Sequence, residues 1–311
     1  MGTQVTYKKN GQINVTLQEK RIPVAEGSRA IVTTTNASNP FQAIDTEFKD
    51  FIGLDALKET IKEIYASIIV NQKRQELGLK PSQQVLHMMF KGNPGTGKTT
   101  VARKLAKLFF DMQVLTKGHF IEAERADLVG EYIGHTAQKT RDLIKKAIGG
   151  VLFIDEAYSL ARGGEKDFGK EAIDTLVKHM EDNQSDFILV LAGYPNEMDQ
   201  FLRLNPGLQS RFPIILEFKD YSIHELMTIA RQMVSEREYE LSKDAEWKLK
   251  DHLTRKQQQH KTSFSNGRYV RNVIEQSIRK HAMRVMTYHH FTHQELITLT
   301  SRDITFEPLP T

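Results

Sequence analysis

The stretch Gly92-Asn93-Pro94-Gly95-Thr96-Gly97-Lys98-Thr99, followed by Thr100, decides how the rest of the chain is read. It satisfies the pattern G-x-x-x-x-G-K-[ST], and chemistry explains the spacing. Glycines let the backbone curl until several N–H groups face one anion. The lysine places a positive charge on the outer phosphates of a nucleotide, and the Thr99 hydroxyl reaches a magnesium ion. A helix starting there aims its N-terminus at the phosphate. The pattern also arises by chance, as a glycine-rich turn with a surface lysine, so its flanks carry weight. His87–Phe90 reads as a short apolar strand before it, and Val101, Leu105, Leu108 and Phe109 form a helical stripe after it. Strand, loop and helix in that order predict ATP or ADP with Mg2+ as the ligand, and Gly92 to Thr100 as the nucleotide-binding residues.

A second signal lies downstream. Val151-Leu152-Phe153-Ile154 is a continuous apolar run ending in Asp155-Glu156. A strand buried on both faces of a parallel sheet reads this way, and ligands in such sheets gather beyond the carboxyl ends of the strands. The placement predicts Asp155 as a metal residue beside Thr99, and Glu156 as the group that polarises an attacking water. Two solvated acids after a strand are common. The phosphate loop is what turns this pair into a candidate hydrolysis site, with Lys98 and Glu156 as catalytic residues.

Outward from these motifs, short apolar runs alternate with helical patterns. The runs are His87–Phe90, Phe120–Ala123, Val151–Ile154, Phe187–Leu191 and Ile214–Phe218. Strands alternating with helices predict an α/β fold, a parallel sheet flanked by helices. Upstream, Leu57, Ile61, Ile64 and Ile68 repeat at helical spacing, and Gly78 and Pro81 end that helix. After Tyr221 strand signals stop. Ser222 and Glu225 have capping-box spacing and open a helix with Leu226, Ile229, Ala230 and Met233 on one face. Two more helical patterns, around Ala245–Leu253 and Tyr269–Met286, predict a small all-helical lid domain. At the other end, alternation in 4–17 around Asn10-Gly11 predicts a small hairpin, and the Thr/Asn/Ser-rich run to residue 44 reads as a linker. The expected division is 1–44, 45–218 and 219–311.

Composition bounds the rest. Lys and Arg total 43 against 39 Asp and Glu, a net charge of +4 without a long basic block, which argues against a nucleic-acid partner. The chain has no cysteine, so disulfides and thiolate metal sites are excluded. The longest apolar run, Phe187–Ala192, is far short of the ~20 residues of a membrane span. No signal-peptide pattern opens the chain, and the expected location is cytoplasmic. His289, His290 and His293 do not match a zinc spacing and read as a solvated terminal segment.

The two motifs and the helical segment behind them resemble the AAA+ ATPases. Gly130–Thr136 and Ile154–Leu160 are similar to a branch that includes the red-type Rubisco activases and a sporulation ATPase, and the likeness runs from about 48 to 285. The resemblance implies a homo-oligomeric, hexameric ring that couples ATP hydrolysis to remodelling or threading of a protein partner, in spore maturation. It implies that Ile52-Gly53 packs on the adenine. In Asn205-Pro206-Gly207-Leu208-Gln209-Ser210-Arg211-Phe212 it implies that Arg211 is an arginine finger reaching the γ-phosphate of the neighbouring subunit. It makes Arg268, after Gly267, the sensor-2 arginine. The physical case is that phosphoryl transfer gains from positive charge delivered in place.

The resemblance also makes Tyr132-Ile133-Gly134 a pore loop. An aromatic followed by an aliphatic side chain grips an extended chain without reading its sequence, and Gly134 lets the loop bend. Arg162–Gly169 is either a second pore loop or a solvated connection. One position departs from the family pattern. Where many members carry a polar sensor-1 residue, this chain reads Leu191-Ala192-Gly193-Tyr194-Pro195-Asn196, and either Tyr194 or Asn196 stands in. A DNA-directed motor or clamp loader shares the same core and is the alternative; a P-loop kinase would need neither Arg211 nor Arg268.

Overall fold

The computed structural model describes residues 3–7, 13–17, 40–49, 51–80, 84–132, 134–162, 168–183, 186–259, 264–288 and 290–306. The chain divides into two compact units, at Pro40 and Phe41. The first holds an antiparallel pair, β1 (Thr3–Tyr7) and β2 (Ile13–Leu17), with Val5 opposite Val15. The Asn10-Gly11 turn lies outside the described residues.

The larger unit starts at Phe41, slightly ahead of the expected break at 45. Helix α1 (Gln42–Glu47) is the reason: Phe41, Ile44 and Phe48 fall on one helical face, and Ile44 and Phe48 are fully buried. Helix α2 (Asp55–Glu76) buries Leu57, Ile61 and Ile68 on the same cluster.

Five strands form the central sheet: β3 (Met88–Gly92), β4 (Phe120–Ala123), β5 (Val151–Ile154), β6 (Ile188–Gly193) and β7 (Ile214–Phe218). They run in the order β4-β5-β6-β3-β7, all parallel. Met88 and Phe90 face the cluster that holds α2 and α3 (Lys98–Asp111), and Met89 faces the opposite one. That alternation is the period of a strand with both faces covered. The second cluster is filled from α5 (His135–Ala147), α6 (Gly169–Asp182) and α7 (Pro195–Leu204), with the short α4 (Arg125–Leu128) and α8 (Pro206–Gln209) beside them. His87 sits just ahead of β3 and is buried between Phe187 and Phe212. Its Nδ1 accepts from the Leu189 backbone N–H at 3.1 Å, and burial pushes its pKa down to about 4.

Behind β7, α9 (Ile223–Ser235), α10 (Lys243–Gln259) and α11 (Asn266–Val285) enclose a third apolar cluster around Leu226, Leu249 and Ile274. Ser222 and Glu225 form the expected capping box. The lid is not purely helical. After α12 (His293–Ile297), β9 (Thr298–Leu299) pairs in parallel with β8 (Glu240–Leu241). Two residues per strand are too few to leave a period in the sequence. The Arg284 guanidinium locks this end with a two-pronged bond to Asp303, at 2.8 and 2.9 Å, and a third bond to Thr298 O.

Candidate functional site: a phosphate loop closed by the lid

β3, β5 and β6 end side by side, and the phosphate loop, the acidic pair and Gly193-Tyr194 follow directly from those ends. The loop curls as the glycines require. Gly95 has φ +70°, and a Cβ there would lie 2.2 Å from Ser265 O and 2.6 Å from Arg268 N. Only glycine fits, because the lid backbone comes down onto the loop at that point. Gly97, at φ +97°, opens α3 with no side chain capping its first N–H groups. An uncapped helix N-terminus is a ready anion site.

Lys98 points back into this loop. Its Nζ donates to Gly92 O at 2.7 Å and to Asn93 O at 2.9 Å, and the residue is buried. Burial holds the ammonium below its usual pKa and nearby Arg268 adds to that, while Asp155, Glu156 and Asp220 oppose it. A buried cation beside uncapped N–H groups is chemically suited to a phosphate. Lys98, Thr99, Thr100, Asp155 and Glu156 all line one cleft of about 690 Å³, together with Pro94, Gly95 and Gly97. Gly92, Asn93 and Thr96 do not line it but brace the loop: Thr96 donates to Asn93 O, and Asn93 donates to both Asp220 oxygens.

At the end of β5, Asp155 Oδ1 accepts the Glu156 N–H at 2.9 Å. Glu156 sits at φ +45°, a left-handed conformation that costs an L residue ~1–2 kcal/mol. The kink turns the chain sharply into a 3-10 turn, Ala157–Ala161, and leaves the Glu156 side chain exposed at the cleft. Strain of this kind at a carboxylate facing a cleft fits a functional position. The chain thus presents an acid pair, a lysine and a hydroxyl in one place, a donor set suited to a nucleotide with Mg2+.

Of the two sensor-1 candidates, Tyr194 lines the cleft and Asn196 is exposed outside it. Tyr194 stacks on Tyr158 with ring centres 5.7 Å apart. Burial raises its hydroxyl pKa, and the charges of Glu156 and Asp155 raise it further. Ile52 lines the cleft, as do Ile229 and Met233 of α9. Gly53, the next residue, does not line the cleft but packs against the lid. It has φ +69°, and any Cβ would collide with the Glu225 carboxylate of the lid.

Arg268 lines the cleft and also a neighbouring recess of about 770 Å³ that shares Asp155 and Glu156. Arg211 lies elsewhere. It follows α8, pairs with Glu181 of α6 and with Gly207 O, and does not line the cleft of its own chain. Tyr132 is 66% exposed, with an edge contact to His135, and Gly134 caps α5 at φ +81°. Ile133, most of the Arg162–Gly169 segment and His289 lie outside the described residues. Sequence reasoning missed the lid wall of the cleft, Gln232, Glu236, Arg237, Arg271 and Glu275. Charged residues on an amphipathic helix carry no local sign of facing a ligand.

A parallel sheet with a phosphate loop at one strand end, paired acids at another and a helical lid over both defines a P-loop nucleotide-binding protein of the lidded type. Residues 88–220 match the ATPase family associated with various cellular activities (AAA), and residues 222–310 match the AAA lid domain. The chain belongs to the AAA family of ATPases. It is 61% identical to stage V sporulation protein K of Bacillus subtilis (strain 168) over 97% of this chain and 96% of that protein. It is 43% identical to protein CbbX of Cereibacter sphaeroides, covering 85% of this chain and 84% of the relative. Against the chloroplastic ribulose bisphosphate carboxylase/oxygenase activase of Cyanidioschyzon merolae (strain NIES-3377 / 10D) the identity is 42%, over 85% and 90%. Among the described residues no helix is long and apolar enough to cross a membrane.

Proposed function

We propose that this chain hydrolyses ATP to ADP and phosphate as a homo-oligomeric, hexameric ring, and uses the cycle to remodel or thread a protein partner in the cytoplasm. The observation that carries the reading is convergence: Lys98, Asp155–Glu156 and Arg268 come from separate segments to one cleft, while Arg211 is held outside it. Residues 45–218 carry the phosphate loop and the acidic pair in this reading, and 219–311 act as the lid that brings Arg268 to them.

The placement supports a role for each residue. Ile52, Ile229 and Met233 form the apolar slot for the adenine. Gly92 to Thr100 form the phosphate loop, with Pro94, Gly95 and Gly97 to Thr100 toward the phosphates and Gly92, Asn93 and Thr96 bracing it, and Lys98 exchanges its bonds to Gly92 O and Asn93 O for phosphate oxygens. When bound, Mg2+ supplies charge neutralisation at the phosphates, and Thr99 and Asp155 are the residues that would hold it. Glu156 accepts a proton from the attacking water, and Arg268 adds positive charge where it develops in the transition state. Arg211 completes the neighbouring subunit's site, which makes turnover a property of the ring. Tyr132, exposed beside Gly134, supports the pore-loop role of Tyr132-Ile133-Gly134.

A role in spore maturation is supported by the likeness to the sporulation protein along nearly the whole chain. A protein partner is supported by the relative named for activating a carboxylase. The test is the Glu156→Gln variant. It should bind ATP as the parent does and lose turnover by at least about a hundredfold. Held in ATP, it should capture the ring together with its client. Undiminished turnover would sink the assignment. ATPase stimulation by DNA and not by a polypeptide would favour the DNA motor, and phosphate transfer to a metabolite would favour a kinase.

A further inference from the structure

Asn266 is fully buried and opens α11 at φ +44°, a conformation that asparagine tolerates better than most L residues. Its amide ties three segments together. Oδ1 accepts the Tyr221 backbone N–H at 3.0 Å. Nδ2 lies 2.7 Å from Asp220 Oδ1, 3.1 Å from Phe264 O and 3.4 Å from Pro94 O. Asp220 in turn holds Asn93 of the phosphate loop, at 2.9 and 3.0 Å. The next residue, Gly267, donates its N–H to Gly95 O at 3.0 Å, and the Tyr221 hydroxyl donates to Thr96 O at 3.0 Å. The lid is therefore fastened to the loop at Pro94, Gly95 and Thr96 in succession.

The side chain that leaves this clamp is Arg268, two residues after Asn266, and it enters the cleft. The backbone turn at Asn266 sets the direction in which Arg268 departs, and the amide holds that turn against the loop. We infer that Asn266 is a positioning residue that aims Arg268 at the phosphates and makes the lid and the phosphate loop move as one body. This rests on Arg268 acting at the nucleotide. A positively charged group helps phosphoryl transfer only where its placement is set in advance.

The experiment compares steady-state ATPase of the full chain with four substitutions. Asn266→Gly keeps the left-handed backbone and removes the amide. Asn266→Asp sets a second carboxylate against Asp220 and removes the donor. Each should lower kcat roughly tenfold or more while KM for ATP stays within about threefold. Adding Asp220→Asn to Asn266→Asp should restore most of kcat, because the new amide at 220 can donate to the carboxylate at 266, which still accepts from Tyr221. On an Arg268→Ala background, Asn266→Asp should cost no more than about twofold, since residues acting as a unit are not additive. Parental kcat in both Asn266 variants, or multiplicative losses with Arg268→Ala, would overturn the inference. So would loss of the folded state in both, which would make Asn266 a residue of the fold alone. If Arg268→Ala keeps full kcat, the role given to Arg268 fails and this inference with it. If only the Asn266 variants stay active, this inference fails by itself.

Discussion

Acidification should weaken the fold through His87, and the size of the effect can be worked out. The ring is buried against Phe187 and Phe212, with its Nδ1 accepting the Leu189 N–H, so the neutral form carries its proton on Nε2. Burial lowers the pKa to about 4 from the ordinary 6.5. A folded pKa below the unfolded one means that the unfolded chain takes up the proton first as the pH falls. Stability from this residue is therefore complete above about pH 6.5 and is lost progressively down to about pH 4. Linkage gives a factor of roughly 30 at pH 5, or about 2 kcal/mol, and about 3 kcal/mol at pH 4. The assay is urea unfolding at pH 7 and pH 5 for the parent and for His87→Asn. The Asn Oδ1 can replace Nδ1 as acceptor for Leu189, while the titration disappears. The variant loses ring packing at every pH, so it starts less stable, but its deficit should shrink by about 2 kcal/mol on going to pH 5. An unchanged deficit would refute the reasoning. Because Phe212 adjoins Arg211, the same acid step is placed to disturb the segment that carries Arg211.

Further outcomes follow from other contacts. Arg211→Ala should bind ATP normally and hydrolyse it poorly, since Arg211 lies outside its own cleft. Mixing it with Lys98→Ala should restore part of the turnover if the arginine acts across subunits, and a lack of restoration at any ratio counts against that. Arg284→Ala should destabilise the lid by about 3–5 kcal/mol, because it strands the buried Asp303 carboxylate. Burial works to raise the pKa of Asp303, but Arg284 and Thr300 outweigh it and hold the carboxyl below its usual value. Its contribution is thus full above pH ~4 and is lost as the pH falls through the lowered folded value, which thermal unfolding from pH 6 to pH 2 would register. Gly95→Ala should weaken ATP binding measured by a fluorescent ATP analogue, because the added methyl meets Ser265 O and the Arg268 backbone instead of open space. Parental affinity would mean that the lid lifts freely from the loop.

The sequence by itself determined the elements that depend on neighbours along the chain. Glycine spacing set the phosphate loop, the apolar run before Asp155 set a buried strand, and Ser222 with Glu225 set the start of a lid helix, because each is a local rule of backbone and burial. It could mark Arg268 only by resemblance, and it left Tyr194 and Asn196 equal. The tertiary structure separates them by place: β6 lies beside β5, and of the two Tyr194 lines the cleft and Asn196 does not. It also decided what closes the phosphate loop. Asn266 and Pro94 are 172 residues apart, and no periodicity reaches that far. Their contact exists because the lid packs its own core and comes down on a loop whose glycine leaves room for it. An amide in a helix opening looks like any other asparagine until the backbone it holds is brought against it.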